Sequence, residues 1–325
     1  MATSEASANP SPALIALDWG TSSLRAYLLG ADGSVQDSRS EPWGIMRVPR
    51  DDLALSFERM TSAWRARAPE VPAIAAGMIG SVNGWVHAPY CDVPAGLEEL
   101  SHRLAIVPGA ALSIVPGIVQ RGSAPDVMRG EETQIVGCLS LHPAMSKESL
   151  LVLPGTHSKW ARIENGRVRA FTTFMTGELF DVLLTHSTLG RVVRDAGPGD
   201  DQDVAGVFAR GVMAAQEATN GASRGIASLL FSVRALVLTE QLHPAYCMEY
   251  LSGLLIGDEL RCGLAERARP DALIGDPTLC EKYVEAFELL GIRRVPVIAD
   301  AARAGLWAIA QHASLPRPTD ERATT

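Results

Sequence analysis

The sequence predicts an α/β protein whose strands and helices form two domains. Two segments, at 13–30 and 150–163, have the same pattern: an apolar strand enters a turn of small residues, and a second strand follows. Each segment is followed by stretches with helical periodicity. The 325 residues are also enough for two hydrophobic cores.

The composition is that of an ordinary folded protein. Hydrophobic residues make up 47% of the chain and charged residues 20%, which excludes wholesale disorder. The formal charge of −8 at pH 7 argues against electrostatic binding of nucleic acid or an anionic membrane. The five cysteines show no metal-binding spacing. Because the sequence also lacks a secretory signal and a long apolar run, we expect a cytoplasmic enzyme.

The chain opens with a predicted three-stranded meander over 13–18, 24–30 and 34–41, in contrast to the strand–helix opening of a Rossmann fold. The other predicted elements are helices at 51–67, 129–141, 177–188, 201–219, 223–241, 244–265, 277–290 and 300–313, and strands at 112–118, 272–275 and 294–298. Residues 72–81 are predicted to form a strand that leads into a glycine-containing turn. We place the first domain at 13–141, the second at 150–313, and loose tails at 1–12 and 314–325.

The first turn, in ALDWGTSS, has the composition of a phosphate site. Backbone N–H groups and hydroxyls can both donate to phosphate oxygens. The candidates for this role are Gly20, Thr21, Ser22 and Ser23. Asp18, at the end of the strand, is a candidate for holding Mg²⁺, largely through water. A plain hairpin turn would explain the same residues.

The second turn, in VLPGTHSK, strengthens the phosphate interpretation because it follows a second apolar strand in the same way. Its candidate phosphate ligands are Gly155, Thr156, His157 and Lys159, with Ser158 between the last two. Lysine is scarce in this chain, with only three present, and lysine can act as a point charge on phosphate.

Several further segments carry a family resemblance. They include AAGMIGSVNGW (75–85), PDVMRGEETQIVG (125–137), LPGTHSKW (153–160), FMTGELFDVLLTHSTLGR (174–191), LSGLLIGDEL (251–260) and AARAGLWAI (301–309). Together with the opening turn, they resemble the 2-dehydro-3-deoxygalactonokinase family of the actin/Hsp70/sugar-kinase ATPase superfamily. The resemblance covers residues 13–313.

This resemblance implies two actin-like (ribonuclease H-like) domains flanking a nucleotide cleft. It also implies an activity: ATP- and Mg²⁺-dependent phosphorylation of a six-carbon 2-keto-3-deoxy sugar acid at its terminal 6-hydroxyl. The expected partners are therefore the sugar acid and ATP.

The acidic pair in MRGEETQ is the best candidate for the catalytic base. Glu131 and Glu132 lie at a predicted helix start, about 100° apart around the axis, so we expect only one to face the site, with Glu132 favoured. Asp126 and Asp181 are weaker candidates. Both glutamates could instead cap the helix and interact with its dipole.

The remaining candidate site residues would bind the sugar acid or the adenine. Arg129 could pair with the substrate carboxylate, or form a salt bridge with Glu131 or Glu132. The other candidates for substrate binding are Gly77, Ser81, Asn83 and Thr176. The family resemblance places Gly275 against the adenine, although Gly-Asp-Pro at this point departs from the double glycine of relatives.

Two other functions stay open at this point: another enzyme of the superfamily, such as a different sugar kinase or an exopolyphosphatase, and a non-catalytic ATP-driven switch. No GxxxxGK[ST] motif occurs, which disfavours a P-loop kinase. The sequence leaves open the preferred epimer of the sugar acid and the oligomeric state, with a homodimer among the alternatives.

Overall fold

A computed structural model describes residues 10–194, 206–217, 225–265 and 269–315. The strands are β1 (Pro12–Trp19), β2 (Leu24–Gly30), β3 (Val35–Glu41), β4 (Ala73–Ala76), β5 (Tyr90–Asp92), β6 (Ala95–Gly96), β7 (Ala105–Ile106), β8 (Leu112–Ile114), β9 (Gly117–Gln120), β10 (Asp126–Met128), β11 (Glu148–Leu153), β12 (Ser158–Glu164), β13 (Arg167–Phe174), β14 (Ala272–Ile274) and β15 (Val297–Ile298). The helices are α1 (Leu53–Arg67), α2 (Leu97–Ser101), α3 (Glu131–Leu141), α4 (Thr176–His186), α5 (Thr188–Arg194), α6 (Val207–Glu217), α7 (Ile226–Leu229), α8 (Ser232–Leu238), α9 (Cys247–Gly263), α10 (Pro277–Leu289) and α11 (Ala301–His312).

The chain packs into two compact units. Unit 1 comprises Met1–Glu148, Arg162–Phe171 and Asp300–Thr325, and unit 2 comprises Ser149–Ala161 and Thr172–Ala299. Helix α11 thus belongs to unit 1, whereas the sequence grouped residues 300–313 with the second domain. The reason is packing rather than chain order, because α11 lies on α3, α2 and β1.

Unit 1 is built on a six-stranded sheet with the order β3-β2-β1-β4-β8-β7. Strands β1, β2 and β3 pair antiparallel, so the predicted meander is confirmed. Strands β1, β4 and β8 pair in parallel. Strand β1 is central in this sheet, and its apolar run packs into a core that includes Phe57, Met60 and Trp64 of α1.

Unit 2 repeats this order of strands. Its sheet runs β15-β14-β11-β12-β13, in which β11, β14 and β15 pair in parallel. Strand β11 therefore has the position in this sheet that β1 has in unit 1. The start of β13 belongs to unit 1, where Arg167 lies opposite Gly96 of β6. The turns after β1 and β11 thus leave equivalent central strands of the two sheets.

Glycines let pairs of helices pack with their backbones in contact. A methyl group on Gly305 of α11 would lie 1.8 Å from the carbonyl oxygen of Thr133, and one on Gly137 of α3 would lie 1.8 Å from that of Ala301. In unit 2, a methyl group on Gly253 of α9 would lie 2.1 Å from the carbonyl oxygen of Phe208 on α6. No larger residue fits either crossing without moving a helix.

Some predicted elements differ from those observed. The predicted strand 112–118 is divided into β8 and β9 around Pro116, because proline has no N–H group for a sheet ladder. The predicted helix 223–241 is divided into α7 and α8. Parts of the predicted helices at 201–219 and 223–241, and most of both predicted tails, lie outside the described residues. None of the helices in the described ranges has the length and apolarity needed to cross a membrane.

Replacing Gly305 with alanine should destabilise the protein by about 1–3 kcal/mol, because the added methyl group pushes α3 and α11 apart. Chemical denaturation followed by circular dichroism measures the change. Gly225→Ala is the matched control. Gly225 has φ −70° and no described atom within 4 Å of the added methyl group, so its effect should stay within about 0.5 kcal/mol. Equal losses of stability in Gly305→Ala and Gly225→Ala would contradict the importance of the close packing between α3 and α11.

Candidate functional site

The first candidate phosphate turn lies between β1 and β2 and is held by backbone hydrogen bonds. The Gly20 N–H donates to the Ser23 carbonyl at 3.0 Å. Thr21 and Ser22, at the tip, are exposed. The turn therefore presents two hydroxyl groups to solvent on a fixed backbone.

A second segment, Trp43–Met46, supports this turn from one side. The N–H groups of Ile45 and Met46 donate to the carbonyls of Gly20 and Thr21, each at 3.1 Å. A methyl group on Gly44 would lie 2.3 Å from the Ser22 nitrogen, so only glycine allows this approach. Sequence reasoning missed this support, and Gly44 next to Trp43 was the only signal for it.

Asp18 lies near the end of β1, opposite Arg25 of β2 and beside Ala76 of β4. Burial raises the pKa of its carboxyl group, and the positive charge of Arg25 partly opposes that rise. No cluster of three metal-ligating side chains occurs among the residues that the structure describes. A single carboxylate beside a candidate phosphate turn nevertheless fits Mg²⁺, which keeps several waters and prefers few carboxylate ligands.

Two further turns of unit 1 are stacked beside the first one: the turn at Gly77 lies against Trp19, and the turn at Gly130 lies against Gly77. Gly77 has φ +96° and Gly130 has φ +111°, both in a region that favours glycine. A methyl group on Gly77 would lie 2.7 Å from the carbonyl oxygen of Trp19, and one on Gly130 would lie 3.3 Å from the Gly77 Cα atom. The predicted site segments 18–23, 77–83 and 129–132 are therefore brought together in unit 1.

The acidic pair begins α3, and both side chains bond to the backbone just before the helix. The Arg129 N–H donates to Glu131 Oε2 at 3.0 Å, and the Gly130 N–H donates to Glu132 Oε2 at 2.7 Å. Glu132 is 1% exposed and also accepts from the Thr133 hydroxyl. Burial and the neighbouring charge of Glu131 raise the pKa of Glu132 to about 7. Both glutamates therefore hold the backbone just before α3, and the capping role and the catalytic role both stay predictions.

Arg129 is a buried cation with unused donors. Its Nη2 donates to the Ala88 carbonyl at 2.8 Å, and its guanidinium carbon lies 4.4 Å from the centre of the Tyr90 ring. Its Nε and Nη1 are buried, and neither has a hydrogen-bond partner among the described residues; the same holds for the Ser81 hydroxyl. Unsatisfied buried donors are costly, so this part of unit 1 is suited to an oxygen-rich ligand. Asn83 lies nearby in the chain and is exposed.

The second candidate phosphate turn lies between β11 and β12 in unit 2 and packs against the start of α4. The Ser158 hydroxyl accepts the Gly155 N–H at 3.3 Å. The Glu178 N–H donates to the Thr156 carbonyl at 3.0 Å, and the Glu178 carboxylate pairs with the ring of His157. Thr156 and His157 are exposed at the tip of the turn.

Lys159 is placed differently from the other residues of this turn. It lies on β12, is 4% exposed, and its Nζ donates to the Thr173 hydroxyl at 2.9 Å. The ammonium group of Lys159 is therefore buried in unit 2 and already donates a hydrogen bond there. Its contact with phosphate stays a prediction.

A pocket of about 440 Å³ opens beside the second turn. Its lining comes from the turn, α4, α9 and α10, and it includes Gly155, Thr156, Thr176, Asp181, Glu249 and Lys282. Lys282 pairs with Glu249 at 2.7 Å. Gly275 follows β14 and approaches Pro154 rather than lining the pocket. Thr176 thus belongs to unit 2, whereas the other predicted substrate-binding residues belong to unit 1; Asp181, a weaker candidate for the base, also lies in unit 2.

Glu259 of α9 is a polar residue that sequence reasoning did not single out. It is 2% exposed, and its carboxylate accepts hydrogen bonds from Trp160, Thr176 and Tyr283. The only signal was an acidic residue inside the apolar segment LSGLLIGDEL. Its partners come from three other elements, which no local pattern reveals.

Comparisons with known proteins show the family to which the chain belongs. A family model for 2-keto-3-deoxy-galactonokinase matches residues 18–309. A 2-dehydro-3-deoxygalactonokinase of Escherichia coli strain K12 is 36% identical, with 91% of this chain and 97% of the relative covered. A protein of Rhizobium meliloti strain 1021 that carries the same activity name is 38% identical, with 91% and 96% covered.

Solved structures support the predicted fold. A crystal structure from Sinorhizobium meliloti, described by the same activity, matches with a TM-score of 0.76 at 34% identity, covering 92% of this chain and 98% of that one. Component A of the (R)-2-hydroxyglutaryl-CoA dehydratase of Acidaminococcus fermentans matches with a TM-score of 0.50 at 14% identity, covering 93% and 100%, which concerns the fold alone. The predicted actin-like ATPase fold is confirmed, and the chain belongs to the 2-keto-3-deoxy-galactonokinase family.

Proposed function

We propose that this protein transfers the γ-phosphoryl group of ATP to the terminal 6-hydroxyl of 2-dehydro-3-deoxy-D-galactonate. The observation that carries the proposal is the family match over residues 18–309, which includes both candidate phosphate turns and the acidic pair. Such a transfer requires groups that hold phosphates, a group that accepts the hydroxyl proton, and a group that binds the sugar acid. Each is available in the described residues.

The two turns are the proposed phosphate sites. In unit 1, Thr21 and Ser22 offer exposed hydroxyls on a backbone that Gly44 and its neighbours support. In unit 2, Thr156 and His157 stand at the tip of a turn that packs on the first turn of α4, and the N-terminus of a helix favours anions. The pocket beside this second turn has room for a nucleoside.

Arg129 and Ser81 are the proposed ligands of the sugar acid. Their buried, unsatisfied donors match the carboxylate and hydroxyl oxygens of such a substrate. The guanidinium of Arg129 is also held over the ring of Tyr90, so little of its freedom remains to be lost on binding.

Glu132 is the proposed base. Its pKa of about 7 makes the carboxylate an effective proton acceptor near neutral pH. Glu131 is the alternative, and Asp126 lies earlier in the chain, at the start of β10. Asp18 is the proposed ligand of Mg²⁺, which would neutralise charge on the phosphates when bound.

A coupled assay for ADP release tests the activity. With 2-dehydro-3-deoxy-D-galactonate and MgATP we expect turnover that depends on the sugar acid, since the proposed reaction consumes it. The gluconate epimer and a reaction without sugar are run in parallel. ADP release without sugar, unchanged when either sugar acid is added, would contradict the kinase proposal, and faster turnover of the gluconate epimer would reassign the substrate.

Arg129→Lys tests whether Arg129 binds the carboxylate of the sugar acid. Lysine keeps the charge but lacks the forked donors of arginine, so KM for the sugar acid should rise about tenfold or more. KM for ATP should stay within about twofold, because Arg129 is not assigned to the nucleotide.

Glu132→Gln should lower kcat by about 10²-fold or more, because a neutral amide cannot accept the hydroxyl proton. In the wild type, kcat/KM should fall as the pH drops through about 7, where the Glu132 carboxylate becomes protonated. Glu131→Gln is the matched variant and should retain most of the activity. A larger loss in Glu131→Gln than in Glu132→Gln would move the base to Glu131.

The same pKa predicts how stability depends on pH. The pKa of Glu132 is raised from 4.5 to about 7 by folding, so the folded protein binds this proton more tightly than the unfolded chain. The free energy of unfolding should therefore fall as the pH rises from 5 to 8, with this residue contributing on the order of 2 kcal/mol. Urea denaturation should show a smaller fall in Glu132→Gln than in the wild type. The same fall in both proteins would contradict the raised pKa.

A further inference from the structure

The buried carboxylate of Glu259 connects four elements of unit 2. Trp160 of β12 donates its indole N–H to Oε1 at 2.8 Å. Tyr283 of α10 donates its hydroxyl to Oε2 at 2.6 Å. The Thr176 hydroxyl, at the first position of α4, donates to the same Oε2. Glu259 itself lies on α9.

These hydrogen bonds extend into the second phosphate turn. The Ser158 hydroxyl lies 2.9 Å from the Tyr283 hydroxyl, and it accepts the Gly155 N–H at 3.3 Å. Because Tyr283 donates to Glu259, its oxygen can accept from Ser158. The chain of donors therefore runs in one direction, from the backbone of the turn through Ser158 and Tyr283 to the carboxylate.

The direction of this chain is determined by groups that can act in only one way. The indole N–H of Trp160 is a donor only. Burial and the adjacent Glu259 carboxylate raise the pKa of Tyr283 well above its ordinary value, so its hydroxyl keeps a proton to donate. Burial raises the pKa of Glu259, and the hydrogen bonds donated by Thr176, Tyr283 and Trp160 oppose that rise because they stabilise the ionised carboxylate.

Thr176 and Tyr283 also line the pocket beside the turn, together with Gly155 and Thr156. Glu259 therefore accepts hydrogen bonds from two residues that line the pocket, Thr176 and Tyr283. Since the single hydroxyl proton of Thr176 is directed to Glu259, the Thr176 oxygen can offer a ligand only acceptor capacity.

We propose that Glu259 is a positioning residue for the nucleotide. It aligns the turn 155–158 and the first turn of α4, and it leaves Thr176 as a hydrogen-bond acceptor that a donor group of the nucleotide, such as a ribose hydroxyl, can use. This inference rests on the proposed use of ATP, and it adds a residue that does not itself contact the ligand.

Glu259→Gln tests the inference because it keeps the size of the side chain. Trp160 can only donate, so the new amide must turn its oxygen towards the indole and its NH₂ group towards Thr176 and Tyr283. This reverses the hydrogen bonds at both hydroxyls. We expect the Kd for the Mg²⁺ complex of a non-hydrolysable ATP analogue, measured by calorimetry without sugar acid, to rise about tenfold.

A double variant separates positioning from mere stability. Adding Trp160→Phe to Glu259→Gln removes the indole N–H, so the amide can rotate and present its oxygen to Thr176 and Tyr283 again. The double variant should bind the analogue more tightly than Glu259→Gln alone, although a smaller buried side chain lowers its Tm. Leu260→Val, a buried neighbour on α9 outside the network, should lower Tm without a change in Kd.

Tyr283→Phe gives a second measurement if the tryptophan variant fails to fold. Its effect on Kd and that of Glu259→Gln should be less than additive, because both break the same chain of donors. An unchanged Kd in Glu259→Gln, or strictly additive effects with Tyr283→Phe, would overturn the positioning role. A wild-type protein that does not bind the analogue would instead overturn the proposed function.

Discussion

The close crossing of α3 and α11 is the packing constraint on which the candidate site of unit 1 depends. Gly305 lies directly against the backbone of Thr133, in the first turn of α3, and Gly137 lies against that of Ala301. Because these two glycines carry no side chain, α3 packs closely against α11, and Glu132 at the start of α3 is buried. Burial in turn raises its pKa. Helix packing therefore controls an acid–base property of the site.

The two units have the same strand order, but the turns after their central strands present different polar groups. In unit 1 the turn after β1 is closed by a backbone hydrogen bond, from Gly20 to Ser23, and its hydroxyls remain exposed. In unit 2 the turn after β11 is closed by the side chain of Ser158, whose hydroxyl is engaged within a buried network. The equivalent strand positions place both turns at the end of a central strand, while the neighbouring elements decide which polar groups each turn presents.

The sequence was sufficient for features that short segments determine. An apolar run followed by glycine and hydroxyl residues predicted both turns, and the motifs predicted the family and the fold. Features that join distant segments could not be predicted. Trp160 and Glu259 are 99 residues apart in the chain, and Thr176 and Glu259 are 83 apart. The support from Gly44 has the same origin, because packing between remote segments leaves no periodic signal.

The scarcity of lysine has a consequence for chemical labelling. The three lysines occupy three different environments: Lys147 is exposed, Lys159 is 4% exposed, and Lys282 is paired with Glu249 in the pocket wall. Amine-reactive reagents need an accessible amine, so among the lysines Lys147 is the most open to acylation. A dye or surface linker attached through Lys147 would accordingly sit on a residue with no assigned role in binding phosphate, sugar acid or nucleotide.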